Sequence, residues 1–303
     1  MTTIALPMLR RPADLLEQAR SQVWNALPML RRPADLLEQE EEKMPHEKLI
    51  EKDKTYLVRK GLFHVQNEVG LGKSEEVYHQ ALKRWLSKNE IPYESKPPHT
   101  LFVGKDPVHT LYPDFVLWDK LVLELKSRPR RFVDKDWVQI TNYLKFRNEK
   151  LGLLVNMGLQ QVVVERVLWP NPDSKLEENW KAWQDASSQT LPHIRAAFLQ
   201  HFADHQTGYG AEINQKLFLH RLRNKNLSVC CNPIVDCSYD GTHIGKSSLD
   251  TWIVEEEVVI CQTSLFNDND FNRLRTRSFM KDLNLPRGLS VNSGKKLSQI
   301  EAH

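Results

Sequence analysis

The chain is poor in the features that mark several classes of protein. Of its 303 residues only four are cysteine and twelve are glycine, and Lys plus Arg (42) nearly balance Asp plus Glu (39). No apolar run approaches the roughly 18–20 residues of a membrane span. The N-terminus lacks the continuous apolar stretch of a secretory signal, so the expectation is a soluble, cytoplasmic protein with no membrane partner. Cys230, Cys231, Cys237 and Cys261 all fall in the second half and include no C-x-x-C pair. That distribution argues against a disulfide-stapled secreted domain and against the paired spacing of a zinc site; reduced, partly buried thiols are expected. With a net charge of only +3, any basic footprint for nucleic acid has to be local.

What the chain does have is repetition, at two scales. Ala5–Gln18 and Ala26–Gln39 both read ALPMLRRPADLLEQ. Pro12 and Pro33 stand just ahead of A-D-L-L-E-Q, which suits the first turn of a short helix. This is a duplicated tail without a fold of its own, or a doubled docking motif for a protein partner anchored by Leu15, Leu16, Leu36 and Leu37. Residues 1–45 are therefore read as a flexible or helical arm. A longer, diverged repeat follows. LGLLVNMG at Leu151–Gly158 returns as RGLSVNSG at Arg287–Gly294, and the same offset of 136 carries Gly72 to Gly208, Leu86 to Leu222, Asp114 to Asp250 and Tyr143 to Phe279. The pattern predicts two tandem α/β units, each a small mixed sheet flanked by helices, over residues 46–168 and 189–303. A polar connector over 169–188 is expected between them.

In the first unit the helix after Gly72 has apolar positions at Val77, Tyr78, Ala81, Leu82, Trp85 and Leu86. Glu75 then projects from the edge of the buried stripe, with Glu76, His79, Gln80 and Lys83 on the wet side. A carboxylate aimed at a core is costly unless something pairs with it. Next come two strand-like runs, Thr110–Leu117 and Leu121–Lys126, around a turn at Trp118–Lys120. A turn centred on Asp119 makes Leu117 face Leu121 and puts Asp114 opposite Glu124. Like charges across a ladder repel unless a cation lies between them. Strand alternation sets Glu124 and Lys126 on one face, with Leu123 and Leu125 on the other. Asp114, Glu124 and Lys126 thus converge. Hard oxygen ligands suit Mg²⁺ or Mn²⁺, and a neighbouring lysine can orient a nucleophile or stabilise developing charge. A surface hairpin with an ordinary ion pair would show the same residues.

These residues carry a resemblance. Gly72-Lys-Ser-Glu75-Glu-Val-Tyr78 fits the motif that names the GxxExxY family, which resembles the wider PD-(D/E)XK nuclease superfamily. Pro113-Asp114 is similar to its PD element, Glu124-Leu125-Lys126 to its E-x-K element, and Gln139-Ile-Thr-Asn-Tyr143 to the Q-x-x-x-Y element of lambda-exonuclease-like members. The strand ending Val155-Asn156-Met157-Gly158 resembles the closing strand. The resemblance covers Tyr56 to Gly158. It implies a restriction-endonuclease-like fold in which Asp114, Glu124 and the Leu125 carbonyl bind Mg²⁺ (or Mn²⁺). By the same resemblance Glu75 holds a metal water or a second metal, Lys126 serves the nucleophilic water, and Gln139 and Tyr143 reach a substrate phosphate. Arg128, Arg130 and Arg131 follow directly and form the local basic patch that net charge hides, a candidate backbone track or simply a solvated loop.

The second unit departs from this pattern. Ala211 takes the place of Glu75, Asn214 that of Tyr78, Cys261 that of Glu124, Thr263 that of Lys126 and Arg275 that of Gln139; of the charged set only Asp250 remains. The expectation is a catalytically silent copy that covers an apolar face of the first, as a subunit does in a dimer. Trp252 and Arg273–Arg277 leave room for nucleic-acid contact there. The reading is a divalent-metal-dependent nuclease with DNA as the expected substrate. The competing reading is a non-catalytic nucleic-acid-binding or assembly protein that docks a partner through its N-terminal repeat.

Overall fold

The computed structural model describes residues 50–170, 173–184, 186–264 and 269–303; the N-terminal repeat, with its four leucines, lies outside them. The chain opens with helix α1 (Lys52–Val69), whose buried positions Thr55, Val58, Leu62, Val65 and Gln66 recur at helical spacing. Gly70 ends it at φ +78°. Helix α2 (Glu75–Lys88) starts at Ser74, whose Oγ accepts from the Val77 amide. The two helices pack closely at Gly61, where a Cβ would come within 2.4 Å of the Trp85 ring.

Strands β1 (Tyr93–Ser95), β4 (Phe115–Leu117), β5 (Leu121–Lys126), β6 (Leu151–Asn156) and β7 (Val163–Leu168) form one sheet in the order β1-β4-β5-β6-β7. Strands β5 and β6 run parallel and the other neighbours antiparallel. The parallel pair needs a crossover, and helix α3 (Asp134–Arg147) supplies it. All six residues of β5 and of β6 are buried, because both faces of the sheet are covered. Leu121, Leu123, Leu125, Leu153 and Val155 meet α1 and α2, while Val122 and Leu154 meet Ile140, Tyr143 and Leu144 of α3. A separate hairpin, β2 (His99–Val103) with β3 (Asp106–Leu111), stands beside α3.

The second half repeats this order. Helices α4 (Thr190–His205) and α5 (Ala211–Asn224) are followed by β9 (Val229–Cys231), hairpin β10 (Ile234–Tyr239) with β11 (Thr242–Ser248), β12 (Trp252–Val254) and β13 (Val258–Thr263). Helix α6 (Asn269–Asp282), β14 (Arg287–Ser293) and β15 (Leu297–Ala302) close it. Its sheet runs β9-β12-β13-β14-β15, and β13 and β14 are again the parallel pair. The likeness reaches single residues. In the first half Leu117 pairs with Leu121 across a turn in which Trp118 and Asp119 have positive φ; in the second, Val254 pairs with Val258 and Glu255 and Glu256 have positive φ. The lone hairpins pair His99 with Leu111 and Val235 with Ser247, and each register shifts at the equivalent point, after Leu101 and after Cys237.

The halves share a core. Tyr209, Ile213 and Leu217, at the start of α5 and along it, pack with Leu101, Val103, Leu111, Ile140 and Tyr143 of the first half, around the buried Trp169. Two glycines permit the approach. A Cβ on Gly208 (φ +103°) would lie 2.4 Å from the Trp169 ring, and one on Gly210 would lie 2.4 Å from Val138 Cγ1. Among the described residues no helix is long and apolar enough to cross a membrane. The four cysteines are free thiols, Cys261 fully buried and Cys230 exposed.

Several details differ from expectation. The run 110–117 is not one strand: β3 ends at Leu111 and pairs in the hairpin, and β4 begins only at Phe115 in the main sheet. Pro113 lies between them and has no amide to give a ladder. The stretch expected as a connector carries β8 (Lys175–Asn179), which adds to the edge of the second sheet parallel to β15. On α2, Val77 is exposed and His79 is buried. The core stripe is Glu75, Tyr78–His79, Leu82 and Leu86, and Val77 lies roughly 200° around the helix from Glu75.

Candidate active site

The chemistry-bearing side chains gather at the C-terminal end of β5. Extending the Leu117–Leu121 register sets Pro113 opposite Leu125 and Asp114 opposite Glu124. Without an amide at Pro113 the ladder stops, and the Asp114 carboxylate stands in for a ladder carbonyl: the Leu125 amide donates to Asp114 Oδ2 at 2.8 Å. The Pro-Asp pair thus opens the sheet edge and fixes one carboxylate in a single step. Glu124 and Lys126 project from the α3 face of β5, and Lys126 Nζ donates to Glu124 Oε1 at 2.5 Å. Asp114, Glu124 and Lys126 are 7%, 2% and 4% exposed. The second oxygen of Glu124 is buried with no hydrogen-bond partner among the described residues. Leaving such an atom unpaired is costly.

Glu75 comes to the same place from the first turn of α2. A chain of local contacts sets that turn: Gly72 at φ +74°, the Ser74 cap, the Tyr78 hydroxyl donating to the Gly70 carbonyl at 2.7 Å, and Ser127 Oγ donating to the Lys73 carbonyl at 2.6 Å. Burial raises the Glu75 carboxyl, with Lys126 and Arg128 pulling the other way and Asp114 adding to the rise. Asp114 is likewise raised by burial, against the Leu125 amide and Lys126. Glu124 goes up to about 8, first through burial and then through Asp114, with Lys126 opposing. Three carboxyls around one ammonium leave negative charge in excess when all are ionised.

Gln139 and Tyr143 sit one turn apart on α3 and bond to each other: Gln139 Nε2 donates to the Tyr143 hydroxyl at 2.7 Å, and that hydroxyl donates to the Tyr112 carbonyl at 3.2 Å. The buried Tyr143 is raised by burial and by the nearby Glu124. Its oxygen is occupied, so it orients Gln139, which is half-buried and lines a groove of about 350 Å³ with Tyr143, Lys135 and His109. Of the basic loop, Arg128 pairs with Asp136 at 3.0 Å, while Arg130 and Arg131 are exposed.

Two contributors are not legible as site residues in the sequence. Asn156 clamps the basic loop: its Oδ1 accepts from the Arg128 and Gly158 amides, and its Nδ2 donates to the Arg128 and Arg130 carbonyls, all at 2.8–3.1 Å. Gly158 lies so close to this loop that a Cβ there would be 2.3 Å from the Arg128 amide nitrogen. His79 stacks on Phe115 at 4.3 Å and its Nε2 is 3.3 Å from the Asp114 carbonyl, buttressing Asp114 from behind. Its spacing of three from Leu82 and seven from Leu86 is the signal that places it in the buried stripe.

In the second half the register puts Thr251, not Asp250, at the place of Asp114. Thr251 is buried and its hydroxyl donates to the Ile260 carbonyl at 2.8 Å, whereas Asp250 is exposed. The expectation that one carboxylate survives there is therefore corrected; a one-residue slip at the start of β12 carries Asp250 to solvent. Cys261 and Thr263 occupy the places of Glu124 and Lys126 on β13. Trp252 is 7% exposed, packed in the core, and so is not available for base stacking. Arg273 is paired with Asp270 and Glu301.

A mixed sheet with a parallel central pair, a Pro-Asp opening one edge, and Glu-x-Lys on the adjacent strand belong to a restriction-endonuclease-like fold. Residues 52–167 match the family model described as the PD-(D/E)XK nuclease superfamily, and this stretch is a domain of that superfamily. Among curated proteins no relative matches. Among solved structures, one described as "Crystal structure of SSO0001" is 14% identical, covering 39% of this chain and 77% of its own, with a TM-score of 0.26; a superposition that loose carries no weight.

Proposed function

We propose that the first half, residues 46–168, is a divalent-metal-dependent nuclease domain of the GxxExxY kind that hydrolyses phosphodiester bonds in DNA, and that it works in the cytoplasm. The observation that carries this reading is the unpaired, buried Glu124 oxygen beside Asp114, with Glu75 at the rim and Lys126 as the one ammonium among them. Among the described residues no group of three or more His, Cys, Asp or Glu stands ready to cage a metal by itself. The Asp114–Glu124 pair suits Mg²⁺ or Mn²⁺, which bind through one or two carboxylates and keep waters and substrate phosphate oxygens in the remaining positions. In this reading Asp114, Glu124 and the Leu125 carbonyl would hold the ion, with Glu75 beside them as a further oxygen donor. When bound, the ion supplies a water of lowered pKa and neutralises charge on the phosphate. Lys126 orients the attacking water and offsets charge as it develops. Gln139, held by Tyr143, contacts a phosphate from the groove, and Arg128, Arg130 and Arg131 follow the backbone.

We further read residues 189–303 as a second copy of the same unit that has lost the chemistry, with 169–188 joining the two. Matching strand order, matching registers and matching positive-φ turns support this. The 1–45 arm remains the candidate docking segment for a protein partner. The decisive experiment incubates the full chain with end-labelled single- and double-stranded DNA and RNA in Mg²⁺, Mn²⁺ or EDTA. Metal-dependent cleavage of DNA that disappears in Asp114→Ala and Lys126→Ala, with binding retained, is the expected result. Unchanged cleavage in Asp114→Ala would sink the site, and salt-sensitive binding without any product would favour the non-catalytic reading.

A further inference from the structure

The two lone hairpins occupy equivalent places but meet different fates. In the first half, the β2–β3 face made by His99, Leu101, Val103 and Leu111 is buried under Tyr209, Ile213 and Leu217 of the second half. At its rim Asp106 accepts from His220 at 3.2 Å and from Asn224 at 3.0 Å. The matching row on β10–β11 is Val235, Cys237 and Tyr239, and among the described residues no helix is buried against it: Val235 and Cys237 are half-buried and Tyr239 is 77% exposed. On α6, Leu274 is 64% exposed, at the position of Val138, which touches Gly210 in the internal contact. The other half of the missing contact is free as well. The helix equivalent to α5 is α2, and where Ile213 is 3% exposed Val77 is 45% exposed, with the exposed Arg84 continuing the same face.

We propose that a second copy of this chain completes the pattern head to tail: the α2 face of one molecule, centred on Val77, docks on the β10–β11 and α6 face of another, centred on Tyr239 and Leu274. The inference rests on reading the second half as a repeat of the first. The internal interface shows that this kind of hairpin face receives this kind of helix. Charge agrees: the C-terminal half of α2 carries Lys83, Arg84 and Lys88, and the β10–β11 turn carries Asp240 near the place of Asp106. Ser74 stands where Gly210 does, so the intermolecular contact is wider by one side chain there. Val77 lies on the far side of α2 from Glu75, so docking leaves the carboxylates open. A contact between unlike patches closes into a ring or extends as a filament, and both ends of this chain's repeat carry a free half.

Sedimentation velocity on the full chain tests this. Wild type is expected to associate at micromolar concentration. Val77→Glu alone and Tyr239→Glu/Leu274→Glu together should each weaken association by at least about 100-fold, the effect of burying an unpaired charge in an interface. Mixing the two variants should restore a dimer, because one supplies an intact hairpin and the other an intact helix. A monomeric wild type, an unaffected variant or a mixture that fails to pair would each overturn the proposal; an unaffected Val77→Glu beside a weakened Tyr239→Glu/Leu274→Glu would indicate hairpin-to-hairpin contact. Ile213→Glu, inside the chain, separates this from the underlying repeat reading. It should loosen the two halves and expose the segment between them to protease whatever the oligomeric state. If it does so while wild type is monomeric, only the intermolecular inference is lost; if it does nothing, the internal contact from which the inference is drawn is lost with it.

Discussion

Glu124 should make the metal-free protein lose stability as pH rises. Burial and the neighbouring Asp114 carry its carboxyl from an ordinary 4.5 to about 8. Between these values the folded chain holds a proton that the unfolded chain has released, so raising pH favours unfolding. The stabilising difference is fully present below pH 4.5 and is lost as pH passes through 8. At about 1.4 kcal/mol per pKa unit, ionising Glu124 in place costs on the order of 5 kcal/mol. Asp114 and Glu75 are also raised, and the three share this cost. Glu124→Gln keeps the shape and removes the titration. In EDTA, the unfolding free energy of wild type from urea titration should fall between pH 5 and pH 8.5, and that of Glu124→Gln should fall by at least about 2 kcal/mol less. Mg²⁺ at a hundredfold its Kd should return about 2.7 kcal/mol to wild type at high pH and little to the variant. Parallel pH dependences for the two proteins in EDTA would refute the assignment of Glu124 as a buried, partner-poor carboxyl.

Asn156→Ala should cost about 1–3 kcal/mol by orphaning buried amides and carbonyls. Limited proteolysis should then cut near Arg128–Arg131, and an unchanged melting temperature with an uncut loop would remove Asn156 from the site. Gly210→Ala should destabilise by roughly 1–3 kcal/mol, because its Cβ would collide with Val138; thermal melts of the full chain decide this, and a neutral substitution would mean the halves have room to part. Asp250→Asn should leave both stability and DNA cleavage at wild-type levels, since Asp250 is exposed and Thr251 holds the buried position. A cleavage defect would return the second half to the chemistry.

The hairpin register was legible because it follows from one turn and strict alternation: Leu117 facing Leu121 forces the positions of Asp114, Glu124 and Lys126. The offset of 136 was read from matched apolar strands and glycines, and the two halves do share one order of helices and strands. It failed at Asp250 because an insertion of one residue is invisible to composition yet reverses which side chain faces inward. The α2 stripe was misjudged at Val77 and His79 because residue polarity was given more weight than spacing. His79 is buried against Phe115 and the Asp114 carbonyl, where a polar ring is accepted because it finds a partner.

The single hairpin register and the gathering of two carboxylates and a lysine beside one strand pair were determined by sequence alone, since they depend on alternation and nearest-neighbour pairing. Tertiary structure decided what came from afar. Glu75 reaches the site only because α2 packs on the sheet face opposite α3, and Tyr143 orients Gln139 only because Tyr112 lies beneath its hydroxyl. Burial of the Glu124 oxygen without a partner, and exposure of one hairpin face while its twin is covered, are likewise outcomes of packing. Whether a polar atom finds a partner or an apolar face finds a cover depends on which distant segments arrive, and no spacing along the chain specifies that.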